Sequence, residues 1–285
     1  MKIANQYITA TFKSKGAELT SLKKNGMEYL WQGNPKHWGR HAPVLFPFVG
    51  KLKKDRFQYN GGVYEMGQHG FARDYEFELS EHNGDSISFQ LKSSEQTLKI
   101  YPFQFSLSIT YLLVGSAIKV TYAVYNAGKS EMYFSIGGHP AFNCPMTSQE
   151  QRSDYWLEFD QSESLETHLL DGGLFSGETE PIRLNDKKLK ISDELFDKDA
   201  LVFKSLKSQS VDLVSPSKKW LTFRFEGFPY LGVWSKNPES TFVCIEPWYG
   251  LAGSEKGSVD LTDKEGIQNL ASKETFVCSY LAELH

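Results

Sequence analysis

Phe105-Ser-Leu-Ser-Ile-Thr-Tyr111 and Ala117-Ile-Lys-Val-Thr-Tyr-Ala-Val-Tyr125, with the turn residues Gly115-Ser116 between them, decide the fold. Apolar and polar residues alternate through most of both runs, the period of a strand with one buried face. Aromatic and β-branched side chains dominate, as they do on pleated surfaces. A helix would need apolar residues three and four apart, and that spacing is nearly absent from the chain.

The same pattern extends outward in both directions. Toward the N-terminus, Glu18-Leu-Thr-Ser-Leu22 and Met27-Glu-Tyr-Leu-Trp31 flank Asn25-Gly26, the strongest short hairpin signal. Tyr7–Phe12, Arg56–Asn60, Val63–Met66, Tyr75–Leu79 and Ser86–Leu91 read as further strands. Toward the C-terminus come Met132–Ile136, Tyr155–Phe159, Ala200–Phe203, Ser210–Val214, Trp220–Phe225, Tyr230–Trp234, Phe242–Glu246 and Thr275–Leu281. Ser192–Asp197 is the best helical candidate and amounts to about one turn. Pro43-Val-Leu-Phe-Pro-Phe-Val-Gly50 carries two prolines, so it is expected as an extended piece lining something and not as a central strand. With no repeat, linker or low-complexity tract, the chain reads as one all-β sandwich domain over residues 1–285.

Bulk properties narrow the function. At 285 residues with 40% hydrophobic and 14% aromatic content, the chain can bury a large core without disulfide staples. A net charge of −4 leaves no electrostatic footprint for nucleic acid. No stretch approaches the roughly 20 apolar residues of a membrane helix, and the first residues lack the apolar run of a signal peptide. Cys144, Cys244 and Cys278 are odd in number and scattered, which fits a reducing cytoplasm.

Three stretches carry candidate chemistry. In Phe134-Ser-Ile-Gly-Gly-His139-Pro-Ala-Phe-Asn143, a strand runs into two glycines, a histidine and a proline. The glycines allow close backbone approach and unusual dihedrals, and the proline fixes the exit. His139 there is either a capping residue or a proton carrier suited to neutral pH. A second histidine, His69, sits in the turn Gly67-Gln-His69-Gly70-Phe-Ala-Arg73. In Phe242-Val-Cys-Ile-Glu246-Pro-Trp-Tyr-Gly250, four apolar residues read as a buried strand from whose end Glu246 emerges. Partial desolvation would raise its pKa toward that of a useful general base, and Trp248 offers an apolar face of the kind that stacks on sugar rings. The plainer alternative is a carboxylate paired to a lysine or arginine.

Two histidines and a glutamate also raise the question of a metal. The close pairings typical of such sites are missing, and His37 and His41 lie on a stretch with Gly39 and flanking prolines, so no metal ligand set is assigned. Cys144 reads as a small core residue.

Taken together, Gln68-His69-Gly-Phe-Ala-Arg73, Gly137-Gly-His139-Pro-Ala-Phe-Asn143 and Ile245-Glu246-Pro-Trp-Tyr-Gly250 resemble the aldose 1-epimerase (mutarotase) family, its LacX-like branch in particular. Pro43-Val-Leu-Phe-Pro and Phe228-Pro-Tyr-Leu-Gly-Val-Trp234 add to the likeness. The resemblance implies a galactose mutarotase-like antiparallel β-supersandwich and a cofactor-independent enzyme on a hexose or hexose phosphate. It implies Glu246 as general base, His139 as general acid and His69 as a substrate-binding partner. Asn143 and Trp248, within the same motifs, are expected to bind substrate. Lys51 follows the glycine after which many family members carry an arginine, and a lysine cannot make the same bidentate contact. Asp199, in Lys198-Asp-Ala-Leu-Val-Phe203, is the candidate for the family's sugar-binding aspartate. Lys51 and Arg73 either grip a sugar phosphate or pair with Asp74 or Glu65. A carbohydrate-binding protein of the same fold without turnover is the alternative to an enzyme.

Overall fold

A computed structural model describes residues 1–285. Every strand pairing in it is antiparallel, as the hairpin signals predict. Phe105–Val114 and Ala117–Asn126 form the central hairpin, paired from Phe105↔Asn126 to Val114↔Ala117 around Gly115-Ser116. Phe105, Leu107, Ile109, Tyr111 and Leu113 all point inward. This hairpin lies within a nine-stranded sheet running from Lys188–Lys190 at one edge to Glu78–His82 at the other.

Facing it is a six-stranded sheet ordered Leu201–Phe203, Tyr230–Trp234, Phe242–Tyr249, Ile136–Gly138 and Val44–Leu45, with Ala141–Asn143 also paired to Phe242–Tyr249. Aromatic contacts hold the two sheets together. Phe46 meets Phe105 at 5.1 Å between centroids, and Phe142 meets Phe223 at 5.9 Å. A contiguous cluster of 64 buried residues fills the space between the layers, so the chain is a single domain. Asn25 and Gly26 both take positive φ (51° and 81°), the geometry of a primed hairpin turn. Pro43–Gly50 contributes only the two-residue edge strand Val44–Leu45, in keeping with its prolines.

Several elements depart from the sequence reading. The Tyr75–Leu79 strand is displaced to Glu78–His82, because Tyr75 and Phe77 hydrogen-bond to the Ser14–Gly16 turn instead of a ladder. Met132–Ile136 is broken at Ser135 into two strands that join different sheets. Leu165–Asp171 and Leu174–Ile182 form an unforeseen hairpin around Gly172-Gly173; its glutamates and threonines hid it from a search for apolar alternation. A six-residue α-helix, Glu95–Ile100, also went unread, although Ser94 caps it by accepting from the Thr97 N–H. Ser192–Asp197 becomes a 3-10 turn at Asp193–Phe196. No helix is long and apolar enough to cross a membrane.

Candidate active site

The two faces of the six-stranded sheet differ sharply. Along Phe242–Tyr249, Val243 and Ile245 enter the main core, while Cys244, Glu246 and Trp248 point to the opposite side. That second face floors an open cavity of about 600 Å³. Glu246 therefore lies within a strand and not at its end, which corrects the expectation drawn from Pro247. The proline falls where the ladder to the neighbouring chain segment pauses, between Gly137↔Trp248 and Ala141↔Cys244. Ile136–Gly138 and Ala141–Asn143 flank a gap at His139-Pro140, and the Ile245 N–H reaches across to the Pro140 carbonyl at 3.3 Å. Pro247 itself stands opposite Gly138, within that pause in the ladder.

That interruption aims His139. Gly137 and Gly138 are part of the strand, and neither has positive φ; close approach alone explains them. A methyl group on Gly137 would sit 2.6 Å from Trp248 Cδ1, and one on Gly138 would sit 2.8 Å from Tyr280 Cε1. The His139 N–H donates to the Pro43 carbonyl at 3.0 Å, and its ring is held by three others. Trp38 stacks on it at 4.8 Å, Trp234 meets it edge-on at 5.8 Å, and His69 lies at 5.6 Å. So held, His139 Nε2 stands 3.3 Å from Glu246 Oε1.

His69 is fixed by its backbone. It takes φ of 68°, a strained value for a side-chain-bearing residue and one that recurs at functional positions. Gly70 follows at φ 72°, where any Cβ would lie 2.3 Å from the Phe46 carbonyl oxygen. The Gly50 N–H donates to His69 Nδ1 at 3.1 Å. The ring proton therefore sits on Nε2, leaving one donor free.

Electrostatics follow from burial. Glu246 is 1% exposed, and desolvation pushes its carboxyl well above the usual carboxylate range, with nearby Asp199 adding to the rise. The Trp248 indole N–H opposes this by more than Asp199 adds, without completing a hydrogen bond of normal geometry. Burial lowers His139 to about 3, assisted by Arg73. It also holds His69 well below the ordinary histidine value, with His139 and Arg73 adding to the fall. Both shifts favour the uncharged forms, a carboxyl on Glu246 beside a neutral His139 imidazole. Glu246 Oε2, His139 Nδ1 and Trp248 Nε1 are buried with no hydrogen-bond partner in the protein.

Of the residues singled out from sequence, Glu246, His139, His69, Arg73, Asp199 and Trp248 all line the cavity. Lys51 and Asn143 do not. Lys51 Nζ donates to the Gly172 carbonyl at 3.2 Å, tying down the hairpin tip, and Asn143 Nδ2 donates to the Glu28 carbonyl at 2.9 Å. Arg73 Nη2 donates to the Gln68 carbonyl at 2.6 Å and braces the His69 turn. Asp199 has φ of 78° and caps its own chain through the Ala200 N–H at 2.8 Å.

Sequence reasoning missed Trp38, Arg40, Trp234 and Lys236, which also border the cavity. The Trp38–Arg40 loop is held from far away, by buried Glu18 accepting from the N–H groups of His41 (2.7 Å) and Ala42 (3.0 Å). Trp234 was legible in principle. It shares a face with Tyr230 and with Gly232, the residue opposite Glu246, and a methyl on Gly232 would lie 2.3 Å from Trp248 Cη2. His139, Cys244 and Glu246 each offer a ligand atom, all within 4.8 Å of one another.

Glu246 and His139 thus lie side by side beneath aromatic walls, in a cavity on one face of an antiparallel supersandwich. The chain belongs to the aldose 1-epimerase family, whose model matches residues 1–259. It is 39% identical over 297 aligned residues to the plasmid-encoded protein LacX of Lactococcus lactis, covering 98% of this chain and 97% of that one. A galactose mutarotase-related enzyme from Lactobacillus acidophilus superposes with a TM-score of 0.95 at 35% identity, covering 100% of this chain and 97% of that one. A galactose mutarotase-like protein from Lactobacillus casei gives 0.93 at 31% identity, with 100% and 99% covered. Fold and family together support a mutarotase-like, sugar-binding function.

Proposed function

We propose that the protein is a cofactor-independent aldose 1-epimerase that interconverts the α and β anomers of a hexose. The observation that carries this reading is the 3.3 Å separation of His139 Nε2 and Glu246 Oε1 in the buried wall of an accessible cavity. The anomeric hydroxyl oxygen and the ring oxygen are bonded to the same carbon. An acceptor and a donor side by side can therefore serve both. Glu246 takes the proton of the C1 hydroxyl while His139 gives one to the ring oxygen. The bond between C1 and the ring oxygen breaks, and the open-chain aldehyde forms. Rotation about C1–C2 presents the other face of the carbonyl, and the pair closes the ring in reverse. No electrons enter or leave, and the pair carries one proton before and after. With that proton starting on Glu246, the roles simply exchange, so both assignments are tautomers of a single pair. Each proton transfer contributes on the order of 10²–10⁴-fold in rate.

The remaining groups bind and orient. The Trp248 indole and the Trp38 and Trp234 rings offer apolar surface to the C–H faces of a sugar. The Nε2–H of His69 and the indole N–H of Trp248 are donors for hydroxyl oxygens. Arg40, Arg73 and Lys236 give the cavity cationic groups that also suit a hexose carrying a phosphate.

The test is polarimetry on freshly dissolved α-galactose and α-glucose and on their 6-phosphates. An epimerase accelerates the decay of rotation for at least one of them. A protein that only binds sugar leaves the decay at the buffer rate, and that result would reject the proposal.

A further inference from the structure

We infer that the wall of this cavity is also a binding site for a divalent transition metal, zinc by its donor set, held by His139, Cys244 and Glu246. The chain spacing that ordinarily announces such a site is missing because the ligands converge from different elements. Cys244 and Glu246 are two apart on one strand, so both project from the same face. His139 arrives from the interruption in the neighbouring strand. One ligand atom from each lies within 4.8 Å of the other two, and all three residues are buried.

The chemistry of the set selects the metal. A thiolate, an imidazole and a carboxylate together suit zinc, whereas magnesium and calcium prefer oxygen alone. Zinc bonds of about 2.0–2.3 Å put tetrahedral ligand atoms roughly 3.2–3.8 Å apart. Closing the observed set onto one ion therefore draws its atoms inward by at most about 1.5 Å. His139 Nε2 and Glu246 Oε1 already stand 3.3 Å apart, the spacing of two ligands on one tetrahedral ion. Charge also balances. One thiolate and one carboxylate neutralise a divalent ion, and a neutral cluster avoids the cost of a bare charge in a desolvated wall. Coordination displaces two protons, that of the Cys244 thiol and the one carried by the Glu246–His139 pair. Three protein ligands leave a fourth position, and it opens on the cavity, where Glu246 and His139 are both lining residues.

The inference goes beyond the anomerase reading, and only its consequence rests on that reading. An ion on Glu246 and His139 occupies both proton-transfer groups, so zinc is an inhibitor of turnover and not a helper.

The experiment titrates metal-free protein with Co²⁺ in the absence of sugar and follows the thiolate-to-cobalt charge-transfer absorption. One equivalent should develop that band with tetrahedral ligand-field bands. Equilibrium dialysis should then show Cys244→Ala weakening zinc by at least about 100-fold, beyond the roughly 10–100-fold that losing an outer partner of a ligand costs. Cys244→Ser, closer in shape, serves if the alanine variant does not fold, and it too must lose the charge-transfer band. No such band, or wild-type zinc affinity in the cysteine variants, would overturn the site. Because no sugar is present, this outcome is separable from failure of the anomerase reading. If zinc binds there yet turnover in zinc equals turnover in chelator, the inhibitory role is overturned and the site stands.

Discussion

The two faces of the strand Phe242–Tyr249 are built from one stretch of eight residues and behave as opposites. Val243 and Ile245 are fully buried among apolar neighbours and leave nothing unsatisfied. Glu246 and Trp248, on the other side, are 1% and 6% exposed, and each has a polar atom without a partner. A buried carboxyl with no cation beside it destabilises a fold, and a sheet optimised for stability alone would carry an apolar residue there. The inner face is therefore read as structure and the cavity face as function.

The largest effect that sharpens this contrast is expected at His139. His139→Asn should lower kcat/KM by about 10²–10⁴-fold and convert a bell-shaped pH profile into one with a single limb. Retention of the full bell would move the role to another group, His69 first. On the inner face the outcome reverses. Ile245→Ala should cost about 2–5 kcal/mol of stability, measured by denaturant unfolding, while activity per folded molecule holds. Loss of activity without loss of stability would break the division between faces.

Arg73 gives a smaller effect that separates bracing from recognition. Its hydrogen bond to the Gln68 carbonyl favours bracing, so Arg73→Ala should impair galactose and galactose 6-phosphate alike. A loss confined to the phosphorylated sugar, of roughly 1.5–3 kcal/mol for a missing charged hydrogen bond, would make it a phosphate ligand.

The smallest effect is a pH-dependent stability difference. Burial raises the Glu246 carboxyl in the folded state above its unfolded value near 4.5, so the folded state binds more protons and stability falls as pH rises from there toward the folded value. Glu246→Gln removes this term. Relative to wild type, the variant should gain in Tm as pH increases from about 4.5, and a difference independent of pH would contradict the assignment of a raised pKa.

Much of this was legible in the sequence, for physical reasons. Alternation and Asn-Gly turns are local signals, so the main strands and their antiparallel pairing could be read directly. The histidine motifs stood out because their glycines mark positive φ at Gly70 and close approach at Gly137 and Gly138. What escaped was long-range. Trp38 and Arg40 reach the cavity on a loop that Glu18, just ahead of the strand Leu19–Lys24, anchors from far off in sequence. Asn143 belongs to a quoted motif yet turns to the Glu28 carbonyl, and Lys51 turns to Gly172. Pro247 falls inside a strand where the ladder to the neighbouring segment pauses, which no reading of Phe242–Tyr249 by itself could supply.

The central claim is that Glu246 and His139 pass one proton to and fro across the anomeric centre. Its most direct test compares wild type and Glu246→Gln in a polarimetric mutarotation assay over a range of galactose concentrations, since glutamine keeps the shape and removes the basicity. The account predicts turnover reduced at least about 10²-fold with little change in the sugar concentration that half-saturates the protein. Turnover near that of wild type would contradict it.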